Sequence, residues 1–202
     1  HFVEETHRLG IPLAAISGNH DGADRMALGT PLLRQSGVTI ATKLEDVFQP
    51  LLLPENVHCY LLPYFEPQQV RQLLGREVRG FQEAYRAVLA RVREQLIPGA
   101  VKLLVATCFV MGGETSASES PTFVGGSSEV HPACFDGFSY VALGHLHRPQ
   151  KAGTNGRYAG SPPKYSFDES MHRKSVTLVT LEDGQVQTEC IPVQPMRDLR
   201  TI

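Results

Sequence analysis

No stretch of this 202-residue chain approaches the run of roughly 18 apolar residues that a membrane helix needs, so no membrane partner is expected. Nor is there a Cys-x-x-Cys pair. The four cysteines, Cys59, Cys108, Cys134 and Cys190, are scattered, which excludes a zinc ribbon and a small disulfide scaffold. Isolated thiols among apolar neighbours point instead to a reducing, cytoplasmic setting. A dominant charge is missing too. Nineteen Lys and Arg stand against 21 Asp and Glu, and a net charge of −2 gives no overall pull toward nucleic acid. Repeats and low-complexity tracts are also lacking.

An initiator Met and a secretory signal are likewise not seen at the start. The opening HFVEETHRLG reads as the end of a helix, with Phe2, Val3 and Leu9 on one face and Gly10 at the C-cap. We therefore expect a fragment whose first helix begins upstream of His1.

What remains is a globular composition, 42% hydrophobic and 20% charged, long enough for one sizeable core. IPLAAIS (11–17) predicts a buried strand, residues 26–35 a helix built on Met26, Leu28, Leu32 and Leu33, and VTIAT (38–42) a second strand. VHCYLLPYF (57–65) is β-rich, and from Glu66 to Leu96 the apolar spacing turns helical, with Gly75 as a break. Arginines at 71, 76, 79, 86, 91 and 93 fit a solvated helix face better than a DNA-binding stripe. VKLLVATCFV, FSYVAL (138–143) and SVTLVTL (175–181) predict strands, the last entering a hairpin at Asp183-Gly184. Residues 111–130 predict a long surface loop. The order suits an α/β core with an antiparallel pair near its end.

Two polar clusters follow buried strands directly: Gly18-Asn19-His20-Asp21 and Gly144-His145-Leu146-His147. Strand ends of open α/β sheets face a common crevice, where such folds place their sites. In an extended backbone the i, i+2 spacing sends His145 and His147 to one side, and neutral imidazoles suit first-row transition metals. Gly144 would let the backbone turn closely there. Each cluster alone has a plain alternative, since Asn and Asp also favour turns and a His-x-His is often incidental.

IPLAAISGNHD resembles the third motif of the calcineurin-like phosphoesterases, and YVALGHLHRPQ their final Gly-His-x-His motif. VATCFVMGGE, VGGSSEV, RYAGSPPKYSFDE and HRKSVTLV narrow the resemblance to the SbcD nuclease subunits, along nearly the whole chain. That resemblance implies an α/β two-sheet sandwich flanked by helices, here missing its first strands. It implies a nuclease domain over residues 1–190, lacking its N-terminal part, and the start of a DNA-capping domain at 191–202. It further implies two divalent metal ions, manganese in the family, and hydrolysis of DNA phosphodiesters at double-stranded ends and hairpins. The partners implied are an SbcC-type ATPase subunit and a second copy of the chain, in DNA repair and recombination. By motif, Asn19 and His145 would hold one ion and His147 the other. His20 would act as general acid, with Asp21 orienting it.

The sequence departs from that pattern. The family's first Asp-x-His motif and bridging Asp have no counterpart before Asn19, and Thr107 stands where a further His is expected. Cys108 should face away from the site as a small buried hydrophobe. Metal binding and cleavage by this chain alone are therefore expected to be weak or absent. Alternatives are a catalytically inactive scaffold that binds DNA or the ATPase subunit, and a small-molecule phosphodiesterase of the same superfamily. Between Arg148 and Lys174, six basic residues against Asp168 and Glu169 offer phosphate contacts, while Tyr165 and Phe167 are expected to pack.

Overall fold

The computed structural model describes residues 2–119, 128–182, 184–195 and 198–199. Helix α1 (Phe2–Arg8) leads into strand β1 (Leu13–Ile16), and α2 (Ala23–Ala27) and α3 (Thr30–Gln35) return the chain to β2 (Val38–Ala41). Strands β3 (Leu51–Leu53) and β4 (Val57–Leu62) form a hairpin, followed by α4 (Pro67–Leu74) and α5 (Gly80–Arg93). Then come β5 (Val101–Thr107), β6 (Phe109–Val110), β7 (Glu129–Val130), β8 (Tyr140–Gly144), β9 (Gln150–Ala152) and β10 (Gly156–Tyr158). A hairpin of β11 (Ser175–Glu182) and β12 (Gln185–Pro192) ends the series.

The architecture is mixed α/β. Six strands form the main sheet in the order β3-β4-β5-β8-β10-β9. Its centre, β4, β5, β8 and β10, is parallel, while β3 and β9 pair antiparallel at the edges. Side chains alternate across it. Tyr60, Leu62, Leu104, Ala106, Val141 and Leu143 join the main core, which α5 covers with Ala84, Tyr85, Ala87, Val88, Leu89 and Val92. Cys59, Leu61, Leu103 and Val105 face the other way and pack with Ala14, Ile16 and Ala41 of the β1–β2 pair. The parallel β1–β2 pair thus covers part of the second face of the main sheet.

Several local expectations are corrected by particular residues. The single helix expected over 26–35 is two short helices: α2 ends at Ala27 and Leu28-Gly29 form a turn, after which α3 starts with Pro31 in its first turn, where its missing N–H leaves no intrahelical bond unmade. Leu28 and Leu32, two of the apolar set on which that helix was read, are 83% and 73% exposed. Gly75 does end α4, at φ +62°, a left-handed position that costs glycine nothing. The loop expected at 111–130 lies partly outside the described residues, as do residues 196–197 and 200–202 of the stretch expected to open a capping domain.

Two buried tyrosines tie the end of β5. Tyr85 donates to the Thr107 carbonyl at 2.9 Å, and Tyr158 donates to the Cys108 carbonyl and accepts from Val110 N–H, both at 2.8 Å. Cys108 lies in the main core, where burial pushes its thiol up to about 12 although Tyr85 opposes the rise. Burial likewise lifts Cys59 to about 11.

Truncating Leu104 to Ala is expected to cost roughly 2–5 kcal/mol in chemical denaturation, against within about 0.5 kcal/mol for Leu28→Ala. The thiols predict an alkaline weakness. Above the ordinary thiol value of 9.0 the unfolded chain gives up a proton that native Cys108 keeps until about 12. Stability should therefore fall across that window by about 1.4 kcal/mol per pH unit per such thiol, and Cys108→Ala should flatten the slope.

Candidate functional site

Parallel pairing puts the C-terminal ends of β5, β8 and β10 on one side of the sheet, and β1 ends beside them through Tyr64 N–H on the Ser17 carbonyl at 2.9 Å. The segments that follow these strands line one cleft of about 440 Å³. Gly18, Asn19, His20 and Asp21 come from beyond β1, Thr107 from the end of β5, Gly144 to His147 from β8, and Gly160, Ser161 and Tyr165 from beyond β10. All five residues singled out from the sequence as metal-facing or catalytic therefore share one lining.

The first motif is a turn closed by its own last residue. Asp21 accepts the Gly18 N–H at 2.7 Å, and its own N–H reaches the Gly18 carbonyl at 3.2 Å. Asp21 thus holds the turn that presents half-buried Asn19 and exposed His20. A Cβ on Gly18 would sit 3.3 Å from the Asp21 carboxylate, so a side chain there would crowd this bond.

In the second motif the backbone is not extended, contrary to the basis on which both imidazoles were expected to face one side. His145 has φ +108°, left-handed space that a non-glycine residue enters at a cost of order 1–3 kcal/mol. The strain falls on His145, while Gly144 keeps ordinary backbone geometry. Leu146, in the main core, anchors the turn, and both histidines line the cleft nonetheless. Burial lowers the His145 imidazole below its ordinary value; Glu119 opposes this, and neighbouring His147 and His20 add to it.

Thr107 is buried and paired in register with Gly144. Its hydroxyl stands where a further imidazole was expected, and Cys108 points into the core instead of replacing it.

The wall behind His147 holds groups that sequence reasoning missed. Glu169 is fully buried and pairs with buried Lys174 at 2.7 Å. Its other oxygen lies 2.9 Å from His147 Nδ1 and accepts from the Ser118 hydroxyl. Burial alone would raise the Glu169 carboxyl, but hydrogen bonds from Lys174, Ser118 and His147 outweigh it and hold the group at about 2. Glu119 accepts the backbone N–H groups of Ser116 and His147. Only the His-rich motif beside it could have flagged Glu169, which the sequence presents as an ordinary loop acid.

The basic stretch also changes meaning. Lys174 is committed to Glu169, Lys164 pairs with Asp198 at 2.7 Å, and Arg148 pairs with Glu114. Of the expected phosphate contacts, two lysines instead build the protein. Tyr165 and Phe167, expected to pack, are 62% and 66% exposed, with the Tyr165 ring 5.0 Å from that of His147.

Two divalent ions do not fit this donor set. Asn19, His145 and His147 offer no negative charge, both nearby glutamates are spent on protein donors, and hard divalent cations favour anionic oxygen ligands. Among the described residues no group of three or more His, Cys, Asp or Glu is arranged to hold a metal. No helix among them is long and apolar enough to cross a membrane.

No protein-family model matches the chain. It is similar to a curated protein, the SbcD subunit of the SbcCD nuclease of Staphylococcus epidermidis (strain ATCC 12228 / FDA PCI 1200), at 32% identity over 197 residues. The match covers 96% of this chain and 52% of that protein, so the chain spans about half the length of the relative. The chain is thus SbcD-like, related to this nuclease subunit along almost the whole of its own length.

Proposed function

We propose that the protein carrying this chain is the nuclease subunit of an SbcC–SbcD-type complex, hydrolysing DNA phosphodiesters at duplex ends and hairpins. The observation that carries this reading is the convergence of two strand-end motifs on one cleft, in a chain related to that subunit. In this reading the ATPase subunit is the partner, two copies assemble, and the setting is DNA repair and recombination in the cytoplasm. The calcineurin-like sandwich is the fold it implies.

His20 is then the proton donor to the leaving oxygen. Its exposed position at the mouth of the cleft supports that role, because a group that protonates DNA must reach the scissile bond without a large rearrangement. Asp21 acts through the turn, by fixing where His20 stands. Asn19, His145 and His147 are the groups this stretch would turn toward divalent metal. They are too few and too neutral for two ions, so no metal-borne step is assigned to the chain by itself. Tyr165, exposed beside His147, is placed to meet the substrate.

A second reading, a catalytically inactive scaffold retaining DNA or ATPase-subunit binding, is favoured by one specific observation. Thr107 supplies a neutral hydroxyl at the strand end where the family pattern implies an imidazole.

The natural gene product containing this chain should cut linear duplex DNA in the presence of manganese, and His20→Ala should slow it by about 10²-fold or more while DNA binding persists. Cleavage only after Thr107→His would locate the defect at that ligand. Failure of both forms to cut, with binding intact, replaces the nuclease reading with the scaffold.

A further inference from the structure

The ion pair behind His147 has a geometry that a solvated loop acid would not need. Glu169 and Lys174 have side chains 0% and 1% exposed, and burying both charges is costly unless every donor and acceptor is met. Here they are met. Lys174 Nζ donates to Glu169 at 2.7 Å, to the His147 carbonyl at 2.9 Å and to Ser161 Oγ at 2.9 Å, which uses its three protons. The same pair thereby grips His147 at its carbonyl and, through Glu169, at its ring.

Hydrogen-bond accounting around the ring then decides what Nδ1 carries. His147 Nδ1 lies 2.9 Å from Glu169 Oε1 and 2.9 Å from Ser118 Oγ. A carboxylate only accepts, and Ser118 donates its single hydroxyl proton to Glu169, so its oxygen also faces Nδ1 as an acceptor. Both neighbours are satisfied only if Nδ1 carries the proton. The Tyr165 ring, 5.0 Å away and tilted by 46°, stands beside the imidazole.

We propose that Glu169 is a positioning residue that holds the His147 ring with its proton on Nδ1, with Lys174 as the counter-charge that keeps Glu169 in place. Nε2 is then the nitrogen left to whatever occupies the cleft. What Nε2 meets rests on the nuclease reading; the tautomer itself does not. Glu169 touches no substrate in this scheme and acts through His147 alone.

The test is a two-bond proton–nitrogen correlation spectrum of the chain with ¹⁵N-labelled histidine, at about pH 8, above the ordinary histidine range. His147 is expected to show the Nδ1–H pattern, and Ser118→Ala should preserve it because Glu169 remains. The paired variant Glu169→Ala/Lys174→Met removes both charges together and leaves no orphaned lysine. It should shift His147 toward the Nε2–H form that free imidazole side chains favour. An Nε2–H pattern in the unaltered chain overturns the proposal without any variant. So does full retention of Nδ1–H in the paired variant when its backbone amide spectrum stays native. DNA cleavage enters neither outcome, so a failed nuclease reading and a failed tautomer assignment are told apart.

Discussion

Parallel pairing in the centre of the main sheet is the constraint on which the rest depends. Strands that run the same way end on the same side, so residues far apart in sequence are delivered to one rim without any contact having to find them. The register of β5 against β8 sets Thr107 beside Gly144, and the residues that follow each strand have little choice but to line the cleft. The hydrophobic face beneath, closed by α5, keeps that rim fixed, and Tyr85 and Tyr158 bond the backbone just where β5 gives out. Apolar packing thus decides where the polar chemistry stands.

At the rim, two kinds of constraint hold the side chains. The turn after β1 is closed locally by Asp21 on the Gly18 N–H, a bond within one turn. The turn after β8 is strained at His145, and the groups that hold it reach over long sequence distances. Leu146 in the core, Glu119 on the His147 N–H and Lys174 on the His147 carbonyl together determine a backbone that a free peptide would abandon. Strain of this kind persists where the surroundings over-determine it, and it falls on a residue of the candidate site.

This division explains what could be read from the sequence. Strands β1, β2, β4, β5 and β8 and the break at Gly75 were legible because each depends on a local apolar pattern or a single backbone conformation. The two motifs were legible for the same reason, each being a short polar cluster following a strand. The split of α2 from α3 was missed because apolar spacing alone does not register the turn at Leu28-Gly29 or the fresh helix start that Pro31 marks. Lys174 was read as a candidate phosphate contact and Glu169 only as a charge set against it, whereas the two pair with each other inside the protein. Glu169 meets His147 across 22 residues and Ser118 across 51, and no periodicity encodes such a pairing. The conformation at His145 was invisible too, since nothing in the residue type announces a positive φ.

The central claim is that the two strand-end motifs act as one nuclease site. A cycle of His20→Ala, His147→Ala and the double variant, measured as manganese-dependent cleavage by the natural gene product, tests it most directly. Residues that work as a unit lose activity non-additively, so the double variant should be little worse than the more damaging single one. Losses that multiply, as they do for independent positions, would contradict a shared site.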